Sequence, residues 1–305
     1  MGQSSWRAQT LRALEAIDRR GQSKHQAKID QGHQPGQAVY GIYSHGEFNT
    51  VFDKSLTFAH WIDDHYPDIR LFREITPEIV AEFLAEKSQT CQASYVKTML
   101  SALRKLQEGM LAQGWLHEEI VLDEWRVDNQ GQPQMPRGAY AFEETQALVA
   151  AVSQGSVEYG QALRFILSSG ARIDEVFHLR SDKIFVAEKR VELLGKGGKT
   201  RKIQVLDAKI LSELDRSRRF IYLEKGNERV WKPGLENTVR KACDDLGIER
   251  RGIHGFRGSA ACELVRIKTE LMGLTEAQAR RELAMWLGHN PHRTEVTYAY
   301  VPKMR

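Results

Sequence analysis

Fourteen residues near the middle of the chain, RVDNQGQPQMPRGA at 126–139, decide its gross architecture. They hold two prolines, two glycines and almost no apolar periodicity, so no continuous helix or strand is expected through them. With 305 residues the chain is long enough for two ordinary domains, and this is where it divides. On the N-terminal side the pattern is helical. Leu56, Phe58, Trp61 and Ile62 make one apolar face, and Thr76-Pro77-Glu78 opens a helix with a capping residue and a proline at its first position. Leu100, Leu103, Leu106 and Met110 lie on one stripe of a further helix. Ahead of these, residues 5–20 carry Trp6, Leu11, Leu14 and Ile17 at near-helical spacing, and the Gln-, His- and Gly-rich run to Gly46 reads as an extended connection. Four regions result: an N-terminal helix with a flexible segment (1–46), a helical domain (47–125), a linker (126–139) and a second domain (140–305).

The second domain mixes two periods. Apolar residues at helical spacing predict helices near 142–153 and 158–168, and again near 207–222 and 234–246. Between them KIFVAEK, RVELLG and RKIQV alternate and are rich in β-branched residues, which predicts a small three-stranded sheet in a mainly α fold. The turn between the last two runs, Gly195-Lys196-Gly197-Gly198-Lys199, lacks the Gly-Lys-Ser/Thr ending of a nucleotide-binding loop, so ATP is not implied.

Composition narrows the surroundings. A net charge of +4 permits nucleic-acid binding without requiring it. Cys91, Cys243 and Cys262 are odd in number and scattered, which suggests neither a disulfide framework nor a zinc site and points to a reducing cytoplasm. His289 and His292 are spaced as metal ligands can be, but no carboxylate or cysteine cluster accompanies them, and no metal is expected. No stretch has the length and apolarity of a signal peptide or a membrane span.

The chemistry is concentrated near the C-terminal end. In HGFRGSAACEL, His254 and Arg257 stand three apart, so on a helix an imidazole and a guanidinium face one ligand, and that pairing suits a phosphate. Upstream, Gly170 stops an apolar helix and Arg172 stands at the start of the next, giving a second anchored guanidinium. His289 follows a Leu-Gly corner, and Tyr298 lies on a short polar segment ahead of Pro302.

These motifs together resemble the tyrosine recombinases, or phage integrases. The Gly-x-Arg-x-x-Glu box is matched by Gly170, Arg172 and Glu175, the hairpin lysine by Lys196 in GKGGKTR, the His-x-x-Arg box by His254 and Arg257, and Leu-Gly-His with a tyrosine nine positions later by His289 and Tyr298. Two departures stand out: Gly258 replaces the second histidine of many relatives, and KTELMGLTEAQARRE is longer than usual.

The resemblance implies a two-domain C-shaped clamp on double-stranded DNA, with a helical core-binding domain and a catalytic domain. It implies site-specific recombination without a cofactor, by a tetramer assembled on DNA, with accessory DNA-bending or directionality proteins as further partners and a phage or mobile element as the source. Tyr298 would attack a DNA phosphate and become joined to the 3′ phosphate. Arg172 and Arg257 would hold the non-bridging oxygens, His289 would add a hydrogen bond, His254 would assist proton removal, and Lys196 would protonate the leaving 5′ oxygen. Glu175 either orients Arg172 and caps its helix or is a plain structural ion pair, and Lys97, Arg104, Lys199 and Arg201 are further cations that would touch DNA. Tyr300 offers the same chemistry as Tyr298, and only the spacing from His289 favours the latter. A type IB topoisomerase and a non-cleaving DNA-binding relative are the alternatives.

Overall fold

A computed structural model of the chain describes residues 5–32, 39–122, 125, 138–195, 198, 200–224, 226–227 and 229–302. It separates into two compact units, residues 1–133 and 134–305, a division that falls inside the Pro- and Gly-rich stretch.

The first unit contains α1 (Trp6–Ala16), α2 (Lys24–Asp30), α3 (His45–His65), α4 (Pro77–Thr90) and α5 (Ala93–Ala112). Local chemistry sets their starts: the Ser44 hydroxyl accepts from the Glu47 amide at 3.1 Å to cap α3, and Pro77 occupies the first turn of α4. Phe58, Trp61, Ile62, Phe83, Leu103, Leu106 and Met110 bury a common core. The stretch before residue 47 differs from its sequence reading, because α1 packs into this unit rather than standing apart. Ala13 joins the main core, while Leu14 and Ile17 meet Ile42, Phe48 and Val51 in a second cluster. The run read as an extended connection contains α2, and its end is pinned by Lys105, whose buried ammonium binds Glu108 at 2.7 Å and the Val39 carbonyl.

Gly109 explains how α1 comes so close to α5. A Cβ there would stand 2.2 Å from the Ala13 carbonyl oxygen, and that oxygen belongs to backbone that cannot swing aside. A helical Gly→Ala change normally gains about 1 kcal/mol. Here overpacking is expected to reverse the sign, so that Gly109→Ala destabilises the unit by about 1–3 kcal/mol in chemical denaturation. A stabilised variant would show that α1 is not docked on α5.

The second unit runs α6 (Phe142–Gly155), α7 (Val157–Ser169), α8 (Ile173–Phe177), β1 (Ile184–Phe185), β2 (Arg190–Leu194), β3 (Thr200–Gln204), α9 (Lys209–Glu213), α10 (Trp231–Leu246), α11 (Gly252–Arg266) and α12 (Glu276–Trp286), with a 3₁₀ turn at Thr294–Ala299. The three strands form one antiparallel sheet in the order β1-β2-β3, with Val191 opposite Ile203 and Leu193 opposite Arg201. The helix expected over 207–222 is only Lys209–Glu213. Beyond it the chain turns extended at Leu214 and forms a bridge between Phe220 and Arg180 that buries Ile221 and Tyr222, and this pairing competes with helical continuation through the arginine-rich stretch.

Candidate active site

Three chain corners meet at the site, and each has a glycine or a cap that fixes it. Gly170 ends α7 with φ of +57°, a left-handed conformation that favours glycine, and a Cβ at that point would lie 2.1 Å from the Trp286 ring. Arg172 then caps α8, and the Glu175 carboxylate accepts from the Arg172 backbone N–H at 2.7 Å while pairing with its guanidinium at 3.1 Å. Glu175 thus both caps the start of α8 and pairs with the Arg172 side chain. The third corner follows α12: Gly288 adopts φ of +80°, and the His289 amide donates back to the Ala284 carbonyl at 2.8 Å.

Arg257, on α11, ties two of these corners together. Its guanidinium donates to the Gly170 carbonyl and, at 2.8 Å, to the Leu287 carbonyl, and the side chain is only 1% exposed. Its Nε is buried without a partner. Burial pushes its pKa down, and the Tyr300 phenol beside it acts in the opposite direction.

Glu175 is the common counter-charge. Its carboxylate lies 3.1 Å from Arg172, 2.7 Å from Arg201 and 3.9 Å from Arg257. Three guanidinium groups thus surround one carboxylate, and an excess of positive charge remains in a largely buried place. Burial, together with Arg257 and Arg172, pushes Arg201 down to about 10 against the pull of Glu175, which still leaves it charged at neutral pH. Arg201 also donates to the Trp286 carbonyl. Arg201, expected from the sequence to touch DNA, spends these donors within its own unit, on Glu175 and the Trp286 carbonyl. Strand alternation carries the signal that could have found it, since Arg201 shares the inward parity of Ile203 on β3.

His289 feels the same field. Its Nε2 is buried with no hydrogen-bond partner, and burial with Arg172, Arg257, Arg293 and Arg201 holds its pKa below the ordinary value. An unpartnered ring nitrogen facing surplus cationic charge is arranged to receive an anion.

Arg172, His254 and Arg257 line one pocket, to which Arg240, Arg250 and Arg251 also contribute. Arg240 comes from α10, and helical spacing alone gives no sign that it faces this pocket. Lys196 and Lys199 lie outside the described residues. In the first unit Lys97 is exposed, whereas Arg104 spends donors on the Leu122 and Trp125 carbonyls at 3.4 and 2.8 Å, which turns it toward its own unit rather than outward. The two tyrosines part company. The Tyr298 ring lies over Arg280 at 3.9 Å, and the Tyr300 ring lies 5.5 Å from Arg257.

Residues 140–301, more than half of the chain, match the phage integrase family. The chain belongs to that family. No curated protein matches it in sequence. Among solved structures, a lambda integrase dimer bound to a COC' core site superposes with a TM-score of 0.65 at 14% identity, over 87% of this chain and 75% of that one. The XerH site-specific recombinase in its post-cleavage complex with a palindromic difH substrate gives 0.62 at 16% identity, over 97% and 93%. A lambda integrase tetramer bound to a Holliday junction gives 0.63 at 13% identity, over 92% and 78%. The family match, carried by a mainly helical fold with a small three-stranded sheet, makes this integrase-family chain a site-specific tyrosine recombinase. No described helix is long and apolar enough to cross a membrane.

Two measurements check the electrostatics of the site. Glu175→Gln leaves two buried guanidinium groups without their anion and is expected to cost about 3–5 kcal/mol, more than Arg201→Met, which leaves Glu175 its other two partners; the reverse order in denaturant melts would contradict a shared carboxylate. His289 has a folded pKa below its unfolded value of about 6.5, so its stabilising contribution is present above that pH and is lost as pH falls. By NMR its midpoint is expected below 6.5 in the free protein and to move up when DNA phosphate enters. A midpoint above 6.5 without DNA would count against this.

Proposed function

We propose that this recombinase acts on double-stranded DNA through an in-line transesterification at a backbone phosphate, centred on Arg172, Arg257, His254 and His289. The observation that carries it is the convergence of Arg172 and Arg257 on one pocket with His254, near a His289 Nε2 that has no partner. As a nucleophile adds, negative charge gathers on the non-bridging oxygens. Arg172, Arg257 and His289 stabilise it with donors already in place. Glu175 and Arg201 hold those donors in position. His254 assists departure of the phenol proton. The nucleophile is a phenol from the stretch 297–301, which contains both Tyr298 and Tyr300.

A free phenol is ionised to only about one part in a thousand at neutral pH, so the cationic surroundings lower the barrier to its attack. The bond formed is tyrosine oxygen to phosphorus, the bond broken is phosphorus to the 5′ oxygen, and the leaving oxygen takes a proton from Lys196, a role that rests on the family resemblance. Because the phosphodiester energy is conserved in the 3′-phosphotyrosine, a 5′ hydroxyl from another strand reverses the step and completes exchange.

Family membership supports the wider reading: a C-shaped clamp on DNA formed by the helical core-binding unit and the catalytic unit, a homo-tetramer assembled on the attachment sites, accessory bending or directionality proteins, and a phage or mobile-element source. The dimer and tetramer on DNA named for lambda integrase point the same way. A pool of nicked duplexes with a randomised segment, incubated with the protein in excess EDTA, is expected to give a band resistant to denaturation on gels. Arg172→Ala should slow adduct formation by about 10²–10³-fold, the range for losing one preorganised donor, with a much smaller change in DNA affinity. An adduct that requires added magnesium would count against the scheme.

A further inference from the structure

The family spacing from His289 singles out Tyr298, but the folded chain sorts its two phenols differently. We infer that Tyr300 is the nucleophile and that Tyr298 is a packing residue, because the Tyr300 ring lies against the phosphate-binding Arg257 whereas the Tyr298 ring covers Arg280, whose donors are all engaged. This inference rests on the phosphotyrosine chemistry proposed above.

Consider first what each arginine can still do. A guanidinium has five N–H donors. In Arg280 the Nε donates to Glu276 at 2.7 Å, Nη1 to the Thr297 hydroxyl at 3.2 Å and the Val301 carbonyl at 3.1 Å, and Nη2 to the Pro302 carbonyl and Glu276, both at 2.7 Å. Every nitrogen of the group is thus engaged, the contact from Nη2 to Glu276 being an ion pair, and the side chain is 2% exposed. Only the flat face of Arg280 is left, and the Tyr298 ring covers it. No donor there can bind a phosphate. Arg257 presents the opposite case: Nη1 and Nη2 bond the Gly170 and Leu287 carbonyls, Nε is buried without a partner, and the side chain lines the pocket with Arg172 and His254.

The backbone agrees with this division. Tyr298 and Tyr300 are two residues apart at a 3₁₀ turn, where each residue rotates the side chain by about 120°, so the two phenols point in different directions and one of them at most addresses Arg257. Tyr298 is 43% exposed, while Tyr300 packs against the core of the catalytic unit. The Tyr300 amide donates to the Thr297 carbonyl at 3.0 Å, and its carbonyl accepts from the Cys262 thiol on α11, the helix that carries Arg257. The longer count from His289 has a local cause. Asn290-Pro291-His292-Arg293 closes a β-turn, with the Arg293 amide donating to the Asn290 carbonyl and the His292 amide to the Asn290 side chain, both at 2.9 Å. Chain taken up in this turn lengthens the path from histidine to nucleophile without moving either end away from the site.

In the step itself the Tyr300 oxygen bonds to phosphorus and loses its proton, and the bond from phosphorus to the 5′ oxygen breaks as that oxygen gains one. The test uses the full-length protein and a suicide duplex rebuilt from sequences enriched in the random-pool capture. Tyr300→Phe is expected to bind this DNA as wild type does and to form no adduct, while Tyr298→Phe forms adduct within a few-fold of wild type. Tandem mass spectrometry of the wild-type adduct, digested to a peptide bearing a nucleotide remnant, should place the remnant on Tyr300. An adduct that persists in Tyr300→Phe, or a remnant on Tyr298, would overturn the assignment. No adduct from wild type would overturn the proposed chemistry and this assignment together, a pattern distinct from adduct that survives loss of one phenol.

Discussion

One carboxylate holds the catalytic unit's site together. Glu175 is almost wholly buried and is shared by Arg172, Arg201 and Arg257, which arrive from the α7–α8 corner, from β3 and from α11. Desolvating three cations is costly, and a single anion does not balance them. The imbalance is what the proposed phosphate site requires, since the ligand would supply the missing negative charge. Burial, joined by this surplus of positive charge, holds the pKa of His289 below its ordinary value.

The glycines around this cluster follow from the same geometry. Arg257 can bond the Gly170 carbonyl because that corner turns left-handed, and the corner can lie against the Trp286 ring because it has no side chain. Arg201 passes close to Gly288, where a Cβ would stand 3.1 Å from its side chain. Close approach of backbone to guanidinium, repeated at two corners, makes the positions of Arg201 and Arg257 depend on backbone rather than on flexible partners.

Much of this was legible in the sequence. The helix stop at Gly170, the cap position of Arg172, the shared helix of His254 and Arg257, and the three strands are local features whose signals lie within a few residues of one another. What was not legible depended on contacts across long separations. Residues 5–20 read as a separate helix because nothing local reveals that Gly109, nearly a hundred residues later, leaves room for it. Arg201 read only as a cation that would touch DNA because charge was weighed and its inward strand parity was not. The stretch after α9 read as helix because its bridge to Arg180 is a tertiary fact. Counting from His289 favours Tyr298, and such a count takes no account of the turn from Asn290 to Arg293 on which the proposal of Tyr300 rests.

Arg280 has a consequence for the last described residues. Three of its bonds run to the Thr297 hydroxyl and to the carbonyls of Val301 and Pro302, so one interior cation organises the whole terminal strap. Cut away before Thr297, the chain would leave that cation enclosed with donors facing nothing, a cost of several kcal/mol. The strap is therefore a structural keystone of the unit as well as the carrier of its phenols, and trimming it would be felt as unfolding before it was felt as lost chemistry.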